Sequence, residues 1–218
     1  MSFIVKNTTL LNPLDLIAPH SCRGCGAIGS ALCDCCKNNI IANRKAIKLK
    51  STGRNFPPAF VVDHRSKLIG TLIHDYKYNS VRALAAPLAK LLNQTIPAID
   101  GQVVIVPLPT ISKHIRERGF DHTLLIAKKF TRLRGKNYKV KKVLLRNKNT
   151  IQVGANKSSR IKQAEMAYIK NNKISIDKNT TYILFDDVWT TGASMKSAVK
   201  KLREAGAKKI IVALLAMS

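Results

Sequence analysis

One stretch near the C-terminal end constrains the fold more than any other: Tyr182-Ile183-Leu184-Phe185-Asp186-Asp187-Val188-Trp189-Thr190-Thr191-Gly192-Ala193-Ser194. Its short apolar run reads as a buried strand. An amphipathic helix follows at once, with Met195, Ala198, Val199 and Leu202 as its apolar stripe. Lys196, Lys200 and Arg203 make the wet side, and Gly206 is a plausible stop. The apolar run 210–217 then reads as another strand of the same sheet.

The rest of the chain repeats this alternation. Residues 59–62 read as a first strand. Ser66 caps a helix with Leu68, Ile69, Leu72, Ile73 and Tyr76 on one face, ending at Lys77-Tyr78-Asn79. A second helix runs over 87–94, with Pro87 in a favourable first-turn position. Residues 102–106 form a buried strand, stopped by Pro107-Leu108-Pro109-Thr110. A third helix covers 120–133, with Phe120, Leu124 and Ala127 inward. Residues 139–145 read as an edge strand and 158–168 as a weak helix or loop. Strands alternating with helices imply a parallel α/β sheet.

The chemistry follows from the parts of the C-terminal segment. A helix N-terminus offers unpaired N–H groups and a positive dipole end, which suits phosphate. Gly192 allows close backbone approach, and Thr190, Thr191 and Ser194 add hydroxyl donors beside Ala193. Asp186 and Asp187, placed where the strand ends, can accept hydrogen bonds from vicinal ribose hydroxyls. Ligands of open α/β sheets bind in that crevice. The bland alternative is an acidic turn that caps a helix. The segment resembles the phosphoribosyl pyrophosphate (PRPP) signature of the type I phosphoribosyltransferases. That resemblance implies that the two acids hold the ribose hydroxyls and that residues 190–194 cradle the 5′-phosphate.

All five cysteines lie between Cys22 and Cys36. Cys22-x-x-Cys25 and, seven residues later, Cys33-Asp34-Cys35-Cys36 supply soft thiolates for a tetrahedral structural Zn²⁺. The expected ligands are Cys22, Cys25, Cys33 and Cys36. A rival set uses Cys35 in place of Cys36, and His20 is a weaker substitute. A redox-active Cys-x-x-Cys is the other reading. A segment this short cannot fold on a hydrophobic core alone, so metal would supply much of its stability. The basic connector that follows ends at Phe56-Pro57-Pro58. This places a zinc-finger-like module and connector in residues 1–55 and the main domain in residues 56–218.

Three further stretches bear on the site. Arg116 and Arg118 follow the Leu108-Pro109 turn, and arginine forks suit pyrophosphate oxygens. Lys77, followed by Tyr78, is a further candidate phosphate contact; a helix C-terminal lysine facing the dipole is the alternative. Thr150-Ile151-Gln152, Arg160 and Gln163 form the third. The order of cysteine pairs, Lys-Tyr, Pro-x-Pro, Arg-x-Arg-Gly-Phe, Thr-x-Gln and Asp-Asp-Val-x-Thr-Thr-Gly resembles the ComF family, over about residues 22–216. That family comprises phosphoribosyltransferase-like proteins with an N-terminal zinc finger, tied to natural transformation. The resemblance implies a type I phosphoribosyltransferase fold, PRPP binding with Mg²⁺ and a role in DNA uptake, where single-stranded DNA and other uptake proteins are the partners. Where the family has Arg-Gly-Phe-Asn-Gln, this chain has Arg118-Gly119-Phe120-Asp121-His122. Gln163 stands where the family has an Asn three residues after the Arg, and a bulky Trp189 sits between Val188 and Thr190.

Composition narrows the partners. Of 218 residues, 38 are Lys or Arg and 12 are Asp or Glu, a formal charge of +26. A bias towards lysine codons would enrich Glu as readily, so scarce acids favour a polyanionic partner, nucleic acid first. One dense run is Lys128, Lys129, Arg132, Arg134, Lys136, Lys139, Lys141, Lys142, Arg146 and Lys148. A second is Lys196, Lys200, Lys201, Arg203, Lys208 and Lys209. Few aromatics interleave, so salt-sensitive, sequence-independent binding is expected. No targeting or membrane-inserting segment is legible, and a cytoplasmic protein is expected. Two other functions stay open: a salvage phosphoribosyltransferase acting on a free base, and a non-catalytic DNA-binding module.

Overall fold

The computed structural model describes residues 20–43, 55–64, 66–147 and 167–217. The elements begin with α1 (Asp34–Ala42), β1 (Ala59–Asp63), α2 (Lys67–Tyr78), a 3₁₀ turn at Arg82–Leu84 and α3 (Ala85–Thr95). They continue with β2 (Val103–Pro107), α4 (Ser112–Arg118), α5 (His122–Arg134), β3 (Tyr138–Val140), β4 (Leu144–Arg146) and β5 (Tyr168–Lys170). The last three are β6 (Thr181–Trp189), α6 (Ala193–Glu204) and β7 (Lys209–Met217).

Five strands form a parallel sheet in the order β1-β7-β6-β2-β3. The expected parallel α/β sheet flanked by helices is the architecture found. Alternation of side chains decides which layer each strand residue meets. Ile105, Ile183, Phe185, Ala213 and Leu215 pack with α2, α3 and α5 on one face. Val104, Val106, Tyr182, Leu184, Val212 and Leu214 pack with α6 on the other. From β2 the chain crosses one face to reach β3. From β6 it crosses the opposite face to reach β7. The order therefore reverses between β6 and β2, and their carboxyl ends open a crevice there.

Local sequence explains the helix ends. Ser66 caps α2, its hydroxyl accepting from the Ile69 N–H at 3.4 Å. Ile69, Leu72, Ile73 and Tyr76 are buried from that helix, while Leu68 is half-buried. Pro87 is the third residue of α3, within the first turn, where a missing N–H costs no helical bond. The apolar stripe of α6 is buried as read.

Two regions differ from the sequence reading. The third helix, read over 120–133, is α5, capped by Asp121, which accepts from the Leu124 N–H at 3.1 Å; a separate short α4, absent from the sequence reading, precedes it and ends at Gly119, which adopts φ 73°. Phe120 is thus buried in the corner between two helices, and Leu124 is only half-buried. The single edge strand expected over 139–145 is split. β3 pairs with β2, whereas β4 pairs antiparallel with β5 in a separate ribbon over the α6 face. Residues 158–168 and the Thr150, Gln152, Arg160 and Gln163 group lie outside the described residues, apart from Ala167 and Tyr168.

The cysteine module sits on the α2/α3 side. Cys22, Ala31, Leu32 and Ile40 join the same apolar cluster as those helices. Arg23 Nε lies 2.7 Å from Asp75 Oδ2, pinning the module to α2.

Candidate functional site

Register builds the crevice. Pro107 of β2 stands opposite Phe185 of β6, and the Leu108 N–H donates to the Phe185 carbonyl at 2.8 Å. Pairing with β2 stops there. On the other side β6 continues against β7, with Val188 opposite Ala216 and Trp189 opposite Met217. The sequence reading placed Asp186 and Asp187 at the strand end; they lie inside the strand instead, at the point where β2 peels away. A backing strand holds them rigid while the vacated side opens to solvent.

The two acids stay close together: the Asp187 N–H donates to Asp186 Oδ1 at 2.9 Å, and a carboxylate oxygen of each lies within 4.8 Å of the other. Asp187 is buried and its carboxylate meets the Lys77 ammonium in an ion pair. His122 Nε2 lies 3.5 Å from the same oxygen. Burial pushes the Asp187 carboxyl up, but Lys77 and His122 outweigh it and hold it below the usual carboxylate range. Burial and the charge of Asp187 drive Asp186 well above that range. The pair thus carries one firm negative charge and one carboxyl that resists ionising.

His122 is the residue that the sequence reading did not bring into the site. Tyr76 donates to its carbonyl at 2.9 Å, and Arg118 Nη1 lies 3.1 Å from its Nδ1. Arginine can only donate, so Nδ1 accepts and the ring proton sits on Nε2, facing Asp187. Burial lowers the imidazole pKa to about 4, Lys77 and Arg118 adding to the effect and Asp187 opposing it. The only signal in the sequence was the substitution of His at this position of the motif.

The crevice, of about 350 Å³, is bordered by Lys77, Leu108, Pro109, Arg118, Asp186, Asp187 and residues 190–194. Arg116 is not part of it. That side chain is exposed on α4 and borders a neighbouring groove with Lys142 and Asn147. Arg146 borders both hollows, with its guanidinium 5.5 Å from the Tyr168 ring centroid. In the sequence Arg146 is only one charge in a run, and Tyr168 only the end of a weak element.

The turn after β6 leads into α6 through Gly192, which has φ 75° and provides no side-chain cap. The expected reason for this glycine was room for a ligand. The structure adds a second reason: a Cβ there would lie 2.1 Å from Cζ2 of the buried Trp189 indole. Trp189 in turn meets Phe56 edge-on, ring centroids 5.6 Å apart. The turn is therefore moulded over an indole, with Thr190 and Thr191 exposed above it and Ala193 and Ser194 half-buried.

The sulfurs of Cys22, Cys25, Cys33 and Cys36 lie within 4.8 Å of one another, and these four can hold a metal such as zinc. The donor set fits a closed tetrahedral site. Backbone N–H groups of Gly24 and Cys33 reach Cys22 Sγ at 3.4 and 3.3 Å, and the Cys36 N–H reaches Cys33 Sγ at 3.4 Å. Such donors favour thiolates. Burial raises the Cys22 thiol, but these backbone donors prevail and bring it to about 6. Gly24 is required for space, since a Cβ would stand 2.6 Å from Cys36 Sγ. Cys35 is exposed and outside the group. His122, Asp186 and Asp187 form a second group of this compactness. The Lys77 ammonium already meets its charge.

No protein-family model matches the chain. No curated protein matches it either. Among solved structures the chain is similar to a hypoxanthine phosphoribosyltransferase from Staphylococcus aureus, at 13% identity and a TM-score of 0.40. That match covers 64% of this chain and spans 64% of the other. No helix among the described residues is long and apolar enough to cross a membrane.

Proposed function

We propose that the crevice binds PRPP and that the protein handles single-stranded DNA during uptake, as its resemblance to the ComF family implies. The observation that carries the PRPP reading is the acidic pair at the reversal of strand order, faced by the N-terminus of α6 and by Lys77, Arg118 and Arg146. Vicinal hydroxyls of a ribose suit Asp186 and Asp187. A 5′-phosphate suits the amides and hydroxyls of Thr190, Thr191, Gly192, Ala193 and Ser194. The diphosphate would lie toward Leu108, Pro109, Lys77 and Arg118. Arg116 would act from the rim.

If the site catalyses, the C1–O bond to pyrophosphate breaks as an acceptor bonds to C1. Asp187 would stabilise positive charge developing on the sugar, and Arg118, oriented by His122, would receive the leaving group. Mg²⁺ carried in on the substrate would supply neutralisation of the diphosphate charge. A carboxylate pair facing ribose oxygens fits that arrangement. Zn²⁺ on Cys22, Cys25, Cys33 and Cys36 would be structural, since four thiolates leave no open position.

The nucleic-acid part is supported by the charge of +26 and by exposed Lys113, Arg116 and Lys142 along the groove beside the crevice. A salvage transferase acting on a free base, or a DNA-binding module without turnover, would make other use of the same surfaces. Titration calorimetry of Mg²⁺–PRPP into the wild type and Asp186→Ala/Asp187→Ala tests the site. Saturable binding abolished in the double variant is expected. A folded wild type that binds no PRPP would rule the reading out, and turnover with free purines or pyrimidines would favour salvage.

A further inference from the structure

Tyr78 carries the one Phe, Tyr or Trp ring among the described residues that is exposed, at 65% of its full accessibility. The other Phe, Tyr and Trp rings described are buried or half-buried. A tyrosine in so basic a chain would be expected to cover apolar surface, yet this one stands at the mouth of the crevice. It is held there. The Arg118 guanidinium lies 5.3 Å from its ring centroid, and the His74 ring packs at 5.2 Å, tilted by 49°. Arg118 is itself tied to His122 Nδ1, and the backbone neighbour of Tyr78, Lys77, is paired with Asp187. The ring is thus orientated by the same side chains that line the crevice.

We infer that Tyr78 is a stacking platform for a nucleobase of a single-stranded polynucleotide, positioned at the entrance to the crevice. Every base offers a π-face, so stacking on an exposed ring is tolerant of sequence. A guanidinium against the ring strengthens the same contact through its charge. The cations of the crevice wall, Arg118 beside it and Arg146, suit the phosphates that accompany a base and do not suit an apolar protein surface. A duplex hides its base faces, so the strand must be single. This inference rests on the nucleic-acid part of the proposed function and supplies what that part lacked, an aromatic contact among the lysines.

The test compares a 20-nucleotide oligothymidylate with an abasic strand of equal length, by fluorescence anisotropy at low salt. The abasic strand retains the phosphates and removes the rings. Wild type is expected to bind oligothymidylate more tightly, by about tenfold. Tyr78→Ala is expected to lose that preference while keeping its abasic-strand affinity, and Tyr78→Phe to retain it. Equal binding of both strands by wild type, or a preference that survives in Tyr78→Ala, would overturn the inference and leave nucleic-acid binding standing. Binding of neither strand would overturn both. Calorimetry with Mg²⁺–PRPP on the same samples reports separately on the sugar-phosphate reading. Competition by free thymidine at millimolar concentration, without any gain from the strand, would assign the ring to a mononucleoside and also overturn the inference.

Discussion

Gly192 and Trp189 form one unit. Gly192 has φ 75°, and a Cβ would meet the indole at 2.1 Å. Gly192→Ala therefore strains the backbone and overpacks the turn together, and should cost about 1–3 kcal/mol. Trp189 is the sole tryptophan and only 4% exposed, so its emission should shift red in the variant as unfolding temperature falls. At His122 the effect depends on pH. Its folded-state pKa is about 4, lowered by burial, against ~6.5 in an unfolded chain. Between those values the unfolded state binds the extra proton, so stability falls as pH falls through this window. His122→Gln removes that contribution. Its stability should vary less from pH 6.5 to 4 than that of wild type, by at most about 3 kcal/mol, as measured by urea unfolding at each pH.

Among the elements, the end of α3 shows how a charge run can mislead. Arg134 belongs to a basic stretch by sequence, yet Nη2 donates to the Asn93 carbonyl at 2.7 Å and Nη1 to that of Pro97 at 3.0 Å. Its guanidinium also lies 5.2 and 5.6 Å from the ring centroids of Phe130 and Tyr138. It closes the C-terminal carbonyls of a neighbouring helix. Arg134→Ala should destabilise the fold by about 1–3 kcal/mol, whereas exposed Lys128→Ala should stay within ~0.5 kcal/mol of wild type in chemical denaturation. The cysteine module makes a second case. Cys22, Leu32 and Ile40 share the core of α2 and α3, so the loss would not stop at the knuckle. Chelation should lower the unfolding temperature of the whole chain and release one equivalent of metal. Unchanged circular dichroism and stability after complete metal removal would refute a structural zinc.

Across the whole molecule the excess of positive charge sets how a polyanion would be bound. Single-strand binding releases counterions with a slope of about −0.7 per phosphate neutralised. Four phosphates engaged would give a slope near −3 and roughly a 50-fold loss from 50 to 200 mM salt. A flat salt profile would exclude this mode. Much of the layout was legible without coordinates, because it depends on near neighbours in sequence. The strand, acidic pair, turn and helix of residues 182–203 follow from periodicity, and the Ser66 cap follows from a bond spanning three residues. Four cysteines within fifteen positions point to a metal for the same reason. The tertiary structure decided everything that depends on register and on which face a helix packs. Helical phase from Cys33 brings Cys36 back to the other sulfurs and leaves Cys35 outside. Pairing of Pro107 with Phe185 puts Leu108 beside the acids, and the break at Gly119 turns Arg118 inward and leaves Arg116 outside. Arg146 and Tyr168 reach the crevice from elements outside the motifs, so no spacing in the sequence could have announced them, and His122 was marked only by its substitution in the motif.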